Sequence, residues 1–288
     1  MPSVDPRIID LYNEYVHSSL PRRDFITRLA ELAGGAAAAA AVLPLIEPNY
    51  AYGRQVDEKD KRITTSYVEY AAPSGKVKAY LAKPKRKGKF AAVLVIHENR
   101  GLNAHIEDVA RRVALQGYLA LAPDGLSLAG GAPVDQEAAR DLFAKNDRER
   151  ITADVVAGLP FLASHPDGDG KIGTVGFCYG GGVAVRAAVD APSVLAAVSF
   201  YGSALPSEEV PKLKAPVLAH YAGTDERINA AVPEFRKALE ANQVAYSLNW
   251  YPGTQHGFHN DASEGRYNEA AAKLAWTRTV AFFKAYLT

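Results

Sequence analysis

Gly176-Phe177-Cys178-Tyr179-Gly180 is the segment that leaves this chain the fewest options. A short β-like run, Lys171-Ile172-Gly173-Thr174-Val175, comes before it, and a helix-like run from Gly181 to Val189 follows. A G-x-nucleophile-x-G turn between strand and helix lifts one reactive side chain clear of the backbone. Glycines flank that residue because so tight a turn leaves no room for Cβ atoms. The reactive position holds Cys178, the single cysteine of the 288 residues. A lone buried cysteine is most often an inert small hydrophobe, so the turn needs partners before it implies chemistry.

The partners follow in order along the chain. After the turn come the β-like runs Val194 to Phe200 and Ala215 to Tyr221, the second ending in Gly223-Thr224-Asp225-Glu226. A helix-like stretch (Val232 to Ala241) and a strand (Tyr246 to Tyr251) lead to Pro252-Gly253-Thr254-Gln255-His256-Gly257-Phe258. Nucleophile, acid, histidine is the chain order of an α/β-hydrolase. Cys178, Asp225 and His256 all fall just past carboxyl ends of strands, where open parallel sheets bind ligands. Asp225 could equally cap the following helix, Glu226 is its neighbour, and His259 lies near enough to His256 to compete as base.

Upstream, Ile63 to Tyr70 and Val77 to Ala82 read as an antiparallel start, and Lys83 to Lys89 as a solvated loop. Phe90 to Ile96 is the continuous apolar run of a strand buried on both faces. Ile106 to Gln116 has helical spacing, Tyr118 to Pro123 is a strand, and Asp135 to Ala144 and Arg148 to Ala163 are two helix-like stretches. Arg266 to Leu287 closes the chain as a helix. The expected fold is α/β: an α/β-hydrolase with a mostly parallel sheet of about seven or eight strands and helices on both faces. At 48% hydrophobic residues, the chain can bury such a core.

A formal net charge of +1 gives no reason to expect a nucleic-acid partner. No CxxC, HExxH or His/Cys cluster at zinc-like spacing is present, so neither metal nor cofactor is expected. Asp167-Gly168-Asp169-Gly170 lacks the later ligands of a calcium loop and reads as a turn before a strand.

Residues 1–53 differ from the body, 54–288. Pro21-Arg22-Arg23-Asp24-Phe25-Ile26 has the form of a twin-arginine export motif, with an Ala-rich run from Ala36 to Leu43 behind it and small residues in Ala51-Tyr52-Gly53 at a candidate cleavage site. The expectation is a periplasmic protein exported by that route; the alternative is a cytoplasmic one that retains a helical extension. The run is too short and Ala-rich to span a membrane, so no stable membrane association is expected.

Val95-Ile96-His97-Glu98-Asn99-Arg100-Gly101, Gly176 to Gly181, Gly223-Thr224-Asp225 and His256-Gly257-Phe258 together resemble the dienelactone hydrolase (carboxymethylenebutenolidase) family over residues 60 to 288. The resemblance implies Cys178 as nucleophile, His256 as base and later acid, and Asp225 as the carboxylate that orients the imidazole. It implies Glu98 as a residue associated with the resting thiol, and the backbone N–H groups of Asn99 and Tyr179 as the oxyanion hole. The activity implied is hydrolysis of a small ester or lactone through a thioester. A monomer or a homodimer is expected. His97 reads as a supporting core histidine. One departure stands out: the family carries a carboxylate-binding arginine a few residues after the histidine, and Gly257-Phe258-His259-Asn260-Asp261 has none. Arg100 and Arg140 are the candidate substitutes. A short-chain esterase of different specificity, an inactive binding protein on the same fold, and thiol redox chemistry are the other readings.

Overall fold

The computed structural model describes residues 4–18, 20–48 and 54–288. Three helices come first: α1 (Pro6–His17), α2 (Arg22–Ala33) and α3 (Ala36–Ile46). The body then runs β1 (Ile63–Ala72), β2 (Gly75–Pro84), β3 (Phe90–Ile96), α4 (Ala104–Leu115), β4 (Leu119–Pro123), α5 (Gln136–Lys145), α6 (Arg148–Val156), α7 (Gly158–Ser164) and β5 (Gly168–Phe177). It ends with α8 (Tyr179–Asp190), β6 (Val194–Phe200), β7 (Val217–Ala222), α9 (Glu226–Asn229), α10 (Val232–Ala241), β8 (Tyr246–Tyr251) and α11 (Glu269–Leu287).

The eight strands form one sheet in the order β1-β2-β4-β3-β5-β6-β7-β8. β1 pairs antiparallel with β2, and β2 with β4; every pairing from β4 onward is parallel. This is the α/β-hydrolase architecture expected. The all-apolar run of β3 shows why: Ala92, Leu94 and Ile96 enter the core on one face of the sheet, while Ala91, Val93 and Val95 enter the core on the other.

Two local expectations need correction. Arg148 to Ala163 is two helices, not one. Tyr70 Oη donates to Asp154 O at 2.9 Å, taking a carbonyl that a continuous helix would use, and Pro160 has no N–H to offer Val156. Gly158 sits at the break, where a Cβ would come within 3.0 Å of Leu94 Cδ1. Gly168 to Gly170 also belong to β5 rather than to a preceding turn, Gly168 pairing with Phe90 before a register shift.

The N-terminal helices build their own core from Ile8, Ile9, Leu11, Tyr12, Tyr15, Val16, Phe25, Leu29, Ala39 and Ile46. Gly34, at φ 86°, ends α2 in the left-handed conformation, and the chain turns by 108° into α3. Among the described residues no single helix is long and apolar enough to cross a membrane. The segment lies on the body. Asn99 Nδ2 donates to Val16 O (2.8 Å), Arg140 to Tyr15 O (3.0 Å), Tyr15 Oη to Glu137 (2.9 Å), and Gly265 N–H to Leu45 O (2.7 Å). Arg22, first of the paired arginines, is ion-paired with Glu137. The Ala51-Tyr52-Gly53 cleavage candidate lies outside the described residues.

Candidate active site

β5 and α8 meet at Cys178, whose backbone stands at φ 55° and ψ −116°, a conformation L-residues adopt only under constraint. The constraint is packing: a Cβ on Gly176 would lie 1.8 Å from Gly180 O, and one on Gly180 would lie 2.4 Å from Ile96 O. Cys178 N–H donates to Phe200 O at 2.9 Å, which ties the turn to the neighbouring strand. The thiol therefore sits at the N-terminal end of a twelve-residue helix, whose dipole favours negative charge there.

The acid and histidine are brought together by the pairing of β7 with β8. Their following loops are stitched by Gly223 N–H to Tyr251 O (2.9 Å) and Thr224 N–H to Thr254 O (3.1 Å). Asp225 Oδ2 then meets His256 Nδ1 at 2.5 Å, both side chains buried. Asp225 Oδ1 also accepts from Ile228 N–H (3.3 Å), so it caps α9 as well as holding the imidazole. Burial pushes the Asp225 carboxyl up, but the His256 hydrogen bond and charge bring it below its ordinary value. Burial works against charge on His256, yet negative charge at Cys178 and the bond to Asp225 raise it to about 9. His259 is buried beside Phe177 and Phe200, and burial, then the charge of Arg112, hold it well below its usual range. His97 donates from Nδ1 to Glu98 O and accepts Gly125 N–H at Nε2, so it supports the loop.

Sequence reasoning missed one residue entirely. His17, the last residue of α1, places Nε2 3.2 Å from Cys178 Sγ, and its ring centroid is 4.5 Å from that of His256. His17 Nδ1 lies 2.8 Å from Asn13 O, which can only accept, so Nδ1 carries the proton and Nε2 presents a lone pair to the thiol. Burial, followed by the charge of His256, keeps His17 well below its ordinary pKa. Nothing in the sequence around His17 marks it.

Cys178, His17, His256, Asn99, Tyr179 and Tyr201 share one cavity of about 930 Å³. The Asn99 and Tyr179 backbone N–H groups make no hydrogen bond among the described residues. Glu98 is buried beside this loop, where its Oε2 accepts from Asn260 Nδ2 at 2.8 Å; the side chain that meets the thiol from α1 is His17. Arg100 and Arg140, the expected carboxylate binders, are turned to the N-terminal segment instead. Arg100 donates to Tyr12 Oη, and Arg140 stacks 3.8 Å over the Tyr15 ring. The cavity holds other cations. Arg148 and Arg227 line it, and neither makes an ion pair among the described residues. Arg227 could have been found from the sequence, two positions beyond Asp225.

Comparison with known proteins bears on the same residues. A family model described as "Dienelactone hydrolase family" matches residues 77–287, and one described as "YqhI-like" matches residues 3–36. A Saccharolobus solfataricus protein named "Putative carboxymethylenebutenolidase" is 31% identical over 253 residues, spanning 75% of this chain and 96% of its own. The Escherichia coli "Putative hydrolase fragment YghX" is 53% identical over 112 residues, 38% of this chain and 96% of its own. A crystal structure titled as a "Putative Dienelactone Hydrolase" from Klebsiella pneumoniae superposes with a TM-score of 0.70 at 30% identity, covering 78% of this chain and 99% of that one.

Proposed function

The chain belongs to the dienelactone hydrolase family, and on that premise we propose that it hydrolyses a carboxylic ester or lactone through a thioester on Cys178. One observation carries the reading. An imidazole whose Nδ1 is held 2.5 Å from a buried carboxylate shares a cavity with a thiol raised on a strained strand-to-helix turn.

His256, raised to about 9, takes the thiol proton and leaves an imidazolium–thiolate pair. Sulfur attacks the carbonyl carbon, forming the C–S bond, while the oxyanion is met by the Asn99 and Tyr179 N–H groups. Collapse breaks the C–O bond, and the departing alkoxide takes the proton from His256. Water then gives a proton to neutral His256 as its oxygen attacks the thioester. The C–S bond breaks, the acid departs, and the ion pair is restored. Asp225 stays ionised throughout and holds the ring. Arg227 and Arg148 favour a substrate with an anionic group beside the scissile bond.

The test is turnover of a chromogenic short-chain ester by the full chain. Cys178→Ala is expected to abolish it, and one equivalent of iodoacetamide to inactivate the wild type. Undiminished turnover by Cys178→Ala overturns the assignment. A wild type inactive on a panel of aryl esters and lactones would leave the binding-protein reading.

For the compartment, we propose the second of the two outcomes expected from the sequence, an N-terminal segment that stays with the catalytic body. What supports it is the burial of α1 against Asn99, Arg100 and Arg140 and the approach of His17 to the thiol. Mature protein from the native cell that begins after residue 53, and stays cytoplasmic when Arg22 and Arg23 are both replaced by Lys, would establish twin-arginine export instead.

A further inference from the structure

We propose that His17, Cys178 and His256 form a binding site for a thiophilic divalent cation, with Zn²⁺ as the type ion, and that its occupancy shuts down thiol chemistry. The proposal goes beyond the hydrolase reading and stands on geometry that does not require it.

The three ligand atoms lie within 4.8 Å of one another, and His17 Nε2 is 3.2 Å from Cys178 Sγ. Tetrahedral zinc, with Zn–S of about 2.3 Å and Zn–N of about 2.0 to 2.1 Å, sets its ligands roughly 3.5 Å apart. Closing this triangle on an ion therefore needs only side-chain adjustment. Each imidazole is also oriented for the task. His17 Nδ1 is held by Asn13 O at 2.8 Å, and His256 Nδ1 by Asp225 Oδ2 at 2.5 Å. A backbone carbonyl or a carboxylate on the far nitrogen is the usual support of a metal-ligating histidine, because it fixes the tautomer and aims the other nitrogen. His256 Nε2 is buried and, apart from Cys178, has no partner among the described residues. One thiolate and two imidazoles suit a borderline-soft ion rather than magnesium or calcium. The cavity leaves the fourth position open to water.

Binding forms one metal–sulfur and two metal–nitrogen bonds and releases a single proton, from the thiol or from the imidazolium according to which holds it. The ion thereby takes up the electron pairs of both the nucleophile and its base. Spacing rules cannot detect such a site, because its ligands come from positions 17, 178 and 256.

The test uses the full chain stripped with chelator and titrated with Co²⁺, then Zn²⁺. One Co²⁺ per chain should bind with a thiolate-to-cobalt charge-transfer absorption that Cys178→Ser lacks. Zn²⁺ should displace it, slow iodoacetamide labelling of Cys178 at least tenfold, and be reversed by EDTA. His17→Gln, checked for native circular dichroism, should weaken Zn²⁺ binding at least tenfold. Cobalt bound without the charge-transfer band, or a folded His17→Gln that binds Zn²⁺ as tightly as wild type, overturns the site. These readouts need no ester turnover, so the metal site and the hydrolase reading can fail separately.

Discussion

His17 Nε2 lies 3.2 Å from Cys178 Sγ across 161 positions of sequence. The last residue of an N-terminal helix thus faces Cys178, in a domain whose matched family model begins only at residue 77. Removing residues 1–53 should therefore change the thiol. A hydrogen bond worth about 1 kcal/mol corresponds to roughly a fivefold change. The truncated chain is expected to react with iodoacetamide about fivefold faster at neutral pH in the presence of EDTA. Equal rates would mean that α1 does not hold the thiol in solution.

His256→Ala and Asp225→Asn are both expected to impair ester turnover without loss of fold. The loss should be larger for His256, the group proposed to carry every proton transfer, and the double variant should fall far short of the product of the single effects. Steady-state kinetics on the three variants checks this. A near-normal His256→Ala together with an inactive His259→Ala would reassign the base.

Glu98→Gln keeps an acceptor for Asn260 Nδ2 but removes a negative charge from the loop that carries Asn99. The pH profile of Cys178 alkylation is expected to shift. Superimposable profiles would limit Glu98 to loop structure.

Arg227→Gln should separate substrates by charge. A charge-assisted hydrogen bond is worth about 1.5 to 3 kcal/mol, so kcat/KM for an ester bearing a carboxylate should fall roughly 10- to 100-fold. A neutral ester should be little affected. Equal losses on both would place Arg227 in a purely structural role beside Asp225.

His220 is expected to contribute to the acid sensitivity of the fold, alongside His17 and His259, which burial also holds low. His220 is fully buried between Tyr251 Oη (2.9 Å) and Thr279 Oγ1 (3.1 Å). Burial, then the charge of Arg278, push it from 6.5 to about 3. Between those values the unfolded chain binds the proton and the native one does not, so stability falls as pH drops from about 6.5 toward 3. Full expression of the shift would be of order 5 kcal/mol. Melting temperatures should fall across this window in the wild type, and less steeply in His220→Gln. Identical slopes would assign the acid loss to the other histidines that burial holds low, His17 and His259, or to carboxylates such as Asp261, held low by its bonds to His105 and Arg112 against burial.

The sequence alone determined whatever depends on local sterics and on chain order. Gly176 and Gly180 announce the strained turn because no other residue fits beside Cys178. Alternating strands and helices fixed a parallel sheet, and that sheet must deliver Cys178, Asp225 and His256 to one edge. Tertiary structure decided what depends on docking one surface against another. The break after Val156 follows from Tyr70 reaching Asp154 O, a contact between positions 84 residues apart. Arg100 and Arg140 were legible as cations near the site, but α1 occupies them with Tyr12 Oη and Tyr15 O. His17 reaches the thiol because α1 is seated on the body, with Asn99 Nδ2 on Val16 O and Arg140 on Tyr15 O, the two carbonyls just before it. Residues this far apart leave no periodicity or spacing to read, because their meeting is fixed by the packing of whole elements.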